Sequence, residues 1–153
     1  MNQLELKIPP VALLLIIALM MWGIAELFTS FSFSFFVSSF VALLIAFLGV
    51  VFALLGVYQF RKQGTTVDPR IPEKSASLVT SGVYHFSRNP MYVGMLLMLV
   101  GWGIYLGNIA SFIMLPVFIL YMNRFQIMPE ETFMAEKFGS AYQQYQKSVR
   151  RWL

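Results

Sequence analysis

The 26 residues from Phe35 to Phe60, FFVSSFVALLIAFLGVVFALLGVYQF, contain no charged side chain. A helix that crosses the hydrocarbon core of a bilayer needs about 20 mostly apolar residues, so this run is long enough to cross it. Three further apolar runs lie on either side of it in the chain. We therefore predict an all-α integral membrane protein, a single domain over residues 1–153, with four transmembrane helices at about 11–28, 35–60, 91–106 and 109–128.

The composition of the whole chain also indicates a membrane protein. Of the 153 residues, 58% are hydrophobic and 12% are charged. A soluble domain carries about twice as many charges, and a disordered chain needs far fewer apolar residues. Cysteine is absent and there is one histidine, which predicts no metal site. In a chain this apolar, a net charge of +4 indicates membrane topology and contact with anionic lipids rather than with nucleic acid.

The basic residues fall on one side of the predicted bundle. They lie in the N-terminal segment, the loop 61–89, the inner end of the fourth span and the C-terminal tail, whereas the loops 29–34 and 107–108 carry none. By the positive-inside rule, both termini, the long loop and any active site are predicted to be cytoplasmic. Gly107-Asn108 predicts a tight turn between the third and fourth spans. The 11 bases are Lys7, Arg61, Lys62, Arg70, Lys74, Arg88, Arg124, Lys137, Lys147, Arg150 and Arg151.

The residues after the fourth span predict an amphipathic helical tail. Pro129 suits the first turn of a new helix, and two acids follow it. Apolar residues then recur at helical spacing, over one helix or over two helices broken near Gly139-Ser140. This tail lies on the membrane surface or folds over the bundle, with Arg150-Arg151-Trp152 as an interfacial anchor. The apolar stripe is Met134, Phe138, Tyr142, Tyr145 and Val149.

The stretch Arg88-Asn89-Pro90 stands where the third span begins, and two interpretations fit it. Asn89 can cap the helix with Pro90 at its first position, while Arg88 extends to lipid phosphate. The same start of a helix, with a forked guanidinium beside it, also suits an anionic ligand.

Other ionisable residues are equally open to a structural or a functional interpretation. Glu130 and Glu131 either complement the helix dipole or hold an ammonium group or ribose hydroxyls. Arg124, near the inner end of the fourth span, either extends to the interface or belongs to a site. We expect His85 to be a loop residue rather than a base, and Glu26 to be an interface residue.

Glycines recur along the third predicted span, and we interpret them as sites of close helix packing. Gly49 and Gly56 in the second span predict the same role. Such small residues serve either packing within the chain or a homo-oligomer.

Several elements of the C-terminal half occur together in a fixed order. In combination they resemble the integral-membrane methyltransferases, a family that includes the isoprenylcysteine carboxyl methyltransferases and the phospholipid N-methyltransferases. The resemblance covers residues 78–152, about half of the chain. The elements are Gly82-x-Tyr84-x-x-x-Arg88-Asn89-Pro90-x-Tyr92-x-Gly94, an apolar hairpin, Glu130-Glu131, and a tail with Tyr142 and Tyr145.

This resemblance implies an enzyme that binds S-adenosylmethionine at the cytoplasmic end of the last two spans, under the tail. It implies methyl transfer to a lipophilic or membrane-embedded small molecule. Asn89 stands where many carboxyl methyltransferases of the family carry histidine, and it matches the phospholipid-type and many bacterial members. The implied cofactor-binding residues are Tyr84, His85, Arg88, Asn89, Pro90, Tyr92 and Gly94, with Glu130 and Glu131 on the cofactor's polar groups and Tyr142 and Tyr145 in the lid.

Methyl transfer from a sulfonium is a displacement that requires alignment and no metal. The expected catalytic residues are Arg88, Arg124 and Glu131, because either arginine could orient a carboxylate acceptor. An amine acceptor would instead need a base, for which His85 or a glutamate is the candidate. The alternatives from other classes are a small four-span transporter and a non-catalytic membrane scaffold.

Overall fold

The computed structural model describes residues 5–34, 38–64 and 77–153. In this part of the chain the regular structure is helical, as predicted, apart from one isolated bridge. The start of the predicted second span, at 35–37, and most of the long loop, with Arg70 and Lys74, lie outside the described residues. The helices are α1 (Pro10–Leu27), α2 (Ser38–Lys62), α3 (Pro90–Leu106), α4 (Met114–Tyr121), α5 (Met128–Phe138) and α6 (Ser140–Ser148).

Within these ranges, three helices are long and apolar enough to cross a membrane. They are α1, α2 and the continuous helix Ala110–Phe138, which contains α4 and α5. Helix α3 is apolar but has 17 residues, a length of about 25 Å. A bilayer core is about 30 Å thick, so the length of α3 alone does not establish that it crosses the membrane.

Helices α2 and α3 pack against each other through glycine. A Cβ atom built on Gly49 of α2 would lie 2.6 Å from the carbonyl oxygen of Gly94 in α3. Two turns further along α3, a Cβ atom on Gly101 would lie 2.7 Å from the carbonyl oxygen of Ala42. These separations confirm the packing interpretation of the glycines. They bring the two backbones together and thereby fix the start of α3 against α2.

The turn between α3 and the next helix is built around a buried asparagine. Gly107 adopts φ 60°, which ends α3 in the left-handed conformation that glycine favours. The Asn108 side chain donates from Nδ2 to the Phe28 carbonyl oxygen (2.8 Å) and accepts at Oδ1 from the Ala110 N–H (2.9 Å). Asn108 is fully buried, so it ties the end of α1 to the turn.

Replacing Asn108 with alanine should therefore destabilise the bundle at this end. The Ala110 N–H would lose its partner and the Phe28 carbonyl would keep only the Phe31 N–H, so we expect a loss of about 2 kcal/mol in the free energy of unfolding. Thermal unfolding in detergent, followed by tryptophan fluorescence, measures the change. Ser30→Ala, at an exposed position in the turn Thr29–Phe31 that follows α1, is the control. An Asn108→Ala protein as stable as this control would contradict the expectation.

The fourth apolar run continues directly into the tail. A π-helical turn, Met122–Ile127, joins α4 to α5, so Pro129 does not begin a separate helix. Pro129 has no N–H for the carbonyl of Phe125 four residues earlier. That carbonyl accepts instead from the Leu6 N–H at 3.0 Å. The N-terminal segment thus supplies the hydrogen bond that proline cannot.

The C-terminal tail folds over the end of the bundle. Helix α5 ends at Phe138, and α6 begins at Ser140 after Gly139 with φ 52°, which is the predicted break into two helices. The predicted apolar stripe packs toward the Gly82–His85 turn and the end of α2. Of the two predicted arrangements, the structure therefore has the tail folded over the bundle. The buried core between the tail and the bundle consists of Val79, Tyr84, Tyr142, Tyr145 and Val149.

Candidate functional site

Arg88 lies just before α3 and fastens the tail. Its Nη1 atom donates to the carbonyl oxygens of Gln146 (3.0 Å) and Val149 (2.9 Å), at the end of α6. Its Nη2 atom donates to Glu131 Oε1 at 2.6 Å. The side chain is 11% exposed, so it does not extend to lipid phosphate. Its buried Nε has no hydrogen-bond partner among the described residues.

Ser87 and Asn89 hold the same C-terminal segment. The Asn89 Nδ2 donates to the Arg151 carbonyl oxygen at 2.9 Å, and the Ser87 hydroxyl donates to the same oxygen at 3.3 Å. The Asn89 side chain therefore does not cap α3 as predicted; among the described residues, it makes no capping hydrogen bond to the helix. The Asn89 amide thus helps to hold the end of the chain against the start of α3.

Glu131 is held between two arginines. Its Oε1 accepts from Arg88, and its Oε2 accepts from Arg151 Nη2 at 2.6 Å. The hydrogen bonds that Arg151 donates to Glu131 raise the pKa of Arg151. Because both carboxylate oxygens are occupied, Glu131 is arranged to dock the tail. Arg151, predicted as part of an interfacial anchor, instead belongs to this ion-paired group.

Glu130 forms a second polar group beside the first. The Tyr92 hydroxyl donates to Glu130 Oε1 at 2.7 Å, and Gln126 Nε2 donates to the same oxygen at 2.8 Å. Tyr92 and Gln126 are both buried. The first turns of α3 and α5 thus meet through hydrogen bonds to one carboxylate.

Three tyrosines line the tail side of the two polar groups. The Tyr145 hydroxyl donates to the Tyr84 carbonyl oxygen at 2.7 Å. Burial raises the pKa of Tyr84, and the phenol of Tyr145 and the charge of Glu130 raise it further. Burial raises the pKa of Tyr142 to about 12, with the charge of Glu131 acting in the same direction. The Tyr84 phenol stays protonated at neutral pH, and its hydroxyl, which has no partner among the described residues, is available as a hydrogen-bond donor.

The remaining predicted site residues lie in other places. His85 is exposed and lines an open groove of about 360 Å³ with Gln144 and Ser148 on the outside of α6. Pro90 is buried at the first position of α3. Gly94 lies at the crossing of α2 and α3, and contact with a cofactor there stays a prediction.

Arg124 is not brought into either polar group. Its side chain is 49% exposed, and its Nη1 lies 3.6 Å from Glu5 Oε1. In an uninterrupted α-helix, residues 124 and 131 would share a face because they are seven apart. Arg124 instead lies inside the π-helical turn Met122–Ile127, which departs from the α-helical spacing on which that shared face depends.

Three residues of the site were not among the predicted site residues. Gln126 stands four residues before Glu130, a spacing that brings side chains together on a helix. Ser87 is next to a motif residue and has no signal of its own. Trp152 donates from Nε1 to Asn123 Oδ1 at 3.0 Å, which docks the end of the chain on the π turn. Within the described ranges, no group of three or more metal-ligating side chains is present.

Comparison with known proteins identifies relatives of this chain. A family model described as phospholipid methyltransferase matches residues 37–141. The chain is 33% identical over 118 residues to a probable protein-S-isoprenylcysteine O-methyltransferase of Oryza sativa subsp. indica, a match that covers 75% of this chain and 60% of that protein. It is 34% identical over 76 residues to the protein-S-isoprenylcysteine O-methyltransferase of Schizosaccharomyces pombe, covering 50% of this chain and 32% of that protein.

A third relative is shorter. An uncharacterized protein of Haemophilus influenzae is 46% identical over 63 residues, which cover 41% of this chain and 100% of that protein. The chain spans 60% or less of the length of the two named methyltransferases. No solved structure matches the chain. The resemblance to the integral-membrane methyltransferases is confirmed.

Proposed function

The chain belongs to the phospholipid methyltransferase family, and we propose that it transfers a methyl group from S-adenosylmethionine to a lipophilic acceptor at the membrane surface. The observation that carries this proposal is the paired polar groups where α3, α5 and the tail meet. The named relatives are O-methyltransferases of protein S-isoprenylcysteine, which supports a methyl donor and a lipophilic acceptor here as well.

The residues of the site fit the polar groups of S-adenosylmethionine. The cofactor carries an ammonium group, a carboxylate and ribose hydroxyls, so its pocket needs both acceptors and donors. Glu130 offers a partly buried carboxylate. Arg88 Nε and the Tyr84 hydroxyl are buried donors without a partner in the described part of the chain. A ligand that accepts from these atoms would remove the cost of leaving them unpaired.

When bound, the cofactor supplies an electrophilic methyl group attached to a sulfonium. The residues of this chain bind, orient and exclude water. The tail, fastened by Arg88 and Glu131, covers the start of α3 and would keep water from the reacting atoms. A carboxylate acceptor needs no base. For an amine acceptor, Glu130 is the carboxylate placed to take the proton.

The proposed topology is the predicted one. Helix α3 would be the third of four spans, with its missing length supplied by the turn at residues 82–89. Both termini and the polar groups would then face the cytoplasm, because the bases lie at this end. A lipophilic acceptor would enter from the bilayer and the cofactor from the water phase.

The transporter alternative depends on Glu26, the acid in the first span. Glu26 is exposed near the end of α1. Ionisable residues that carry ions or protons through a membrane face the bundle interior or a water-filled cavity. The position of Glu26 therefore favours the methyltransferase proposal over the transporter.

Calorimetric titration of S-adenosylhomocysteine into the purified protein in detergent tests the proposal. We expect stoichiometric binding to the native chain and an affinity at least about tenfold weaker for Glu130→Gln, which loses a charged acceptor. The amide carbonyl of the introduced glutamine can still accept from Tyr92 and Gln126, so the fold should survive.

Glu136→Gln makes the same chemical change at an exposed position of the same helix and should bind as the native chain does. A folded native protein that takes up no ligand would refute the proposal.

A further inference from the structure

Gln126 is a buried polar side chain among apolar ones. It lies in the π turn and is 2% exposed, next to the fully buried Ile127. Burying an amide costs free energy unless it is hydrogen-bonded. Its Nε2 donates to Glu130 Oε1 at 2.8 Å. An apolar residue would pack here without that cost, so we expect the Gln126 amide to have a function other than packing.

Two donors converge on one oxygen of Glu130. Tyr92 and Gln126 approach Oε1 from two different helical segments, at 2.7 Å and 2.8 Å. Both hydrogen bonds that the described residues make to this carboxylate end on Oε1. Two donors from rigid elements fix the rotation of a carboxylate, and its other oxygen is then held in one direction as an acceptor.

We propose that Gln126 is a positioning residue that holds Glu130, together with Tyr92, so that Oε2 accepts from the cofactor. This inference rests on the proposed function and deepens it. The matching donors on S-adenosylmethionine are its ammonium group and its ribose hydroxyls. Gln126 itself acts through Glu130 and not on the ligand.

The test is a double-mutant cycle on S-adenosylhomocysteine affinity, with ligand up to millimolar concentration. Gln126→Leu removes the donor at similar volume and should weaken binding about tenfold. In a Glu130→Ala background, the same change should cost nothing further, because the carboxylate is gone. If Gln126→Leu fails to fold, Gln126→Met, with a more adaptable side chain, takes its place.

Methylthioadenosine, which keeps the ribose and lacks the amino-acid part, separates the two donors. An equal loss for both ligands in Gln126→Leu assigns Oε2 to the ribose hydroxyls. A loss for S-adenosylhomocysteine alone assigns it to the ammonium group. Either result supports the positioning role.

Two results would overturn this role while leaving the proposed function intact. One is an unchanged affinity of Gln126→Leu for both ligands. The other is an equal loss with and without Glu130, which would indicate a general effect on the pocket. A native protein that binds neither ligand would overturn the proposed function, and this inference with it.

Discussion

Replacing Arg88 with alanine is expected to release the C-terminal segment from the start of α3. The guanidinium donates hydrogen bonds to two carbonyl oxygens at the end of α6 and to one oxygen of Glu131. Its removal leaves those carbonyls unpaired and Glu131 with Arg151 alone. Breaking a largely buried ion pair from one side costs about 3 kcal/mol or more. This cost falls on the docked tail, so the apolar bundle should keep its helices.

Hydrogen exchange of residues 140–152 in detergent measures the release. We expect these amides to lose most of their protection in Arg88→Ala, while amides in the middle of α1 and α2 keep theirs. Arg150→Ala removes an equal charge at an exposed position next to Arg151 and should leave the tail protected.

Arg88→Lys should not rescue the tail, because one ammonium cannot reproduce the planar fork that reaches three acceptors. Protection of the tail in Arg88→Ala equal to that of the native chain would contradict the expectation.

The architecture could be predicted because its causes are local. A charge-free run of 26 residues has no stable alternative to a helix in a membrane. Gly107-Asn108 and Gly139-Ser140 are turn signals, and both mark ends of helices in the structure. The number of spans is harder to predict from the sequence. Helix α3 is apolar but short, so its composition alone does not show whether it crosses the membrane.

The composition of the site could be predicted better than its hydrogen bonds. The resemblance selected Arg88, Tyr92, Glu130 and Glu131, which the fold brings into two adjacent polar groups. It could not show that Arg88 binds carbonyl groups 58 and 61 residues further along the chain. Any residue type can supply a carbonyl, so such partners leave no pattern. The exposed position of Arg124, away from both polar groups, could not be predicted either, because no local sequence signal marks the π turn.

Replacing Gly94 with alanine is expected to force α2 and α3 apart. The added Cβ would overlap the Gly49 carbonyl and lie 2.8 Å from the Ala53 backbone nitrogen. Backbone atoms cannot move aside as the end of a side chain can, so the helices must separate. Overpacking of this kind costs about 1–3 kcal/mol, and we expect the upper part of that range.

Thermal unfolding in detergent, set against Gly23→Ala, distinguishes packing from helix propensity. A Cβ on Gly23 in α1 meets no atom within 4 Å. Because alanine favours a helix over glycine, that variant should be unchanged or stabilised by about 0.5–1 kcal/mol. The two variants share one chemical change, and only Gly94→Ala should lose stability. If Gly94→Ala unfolds at the same temperature as the native chain but binds S-adenosylhomocysteine weakly, Gly94 contacts the cofactor, as the family resemblance implies. If stability falls and ligand affinity per folded molecule is kept, Gly94 is a packing residue that holds α3 against α2.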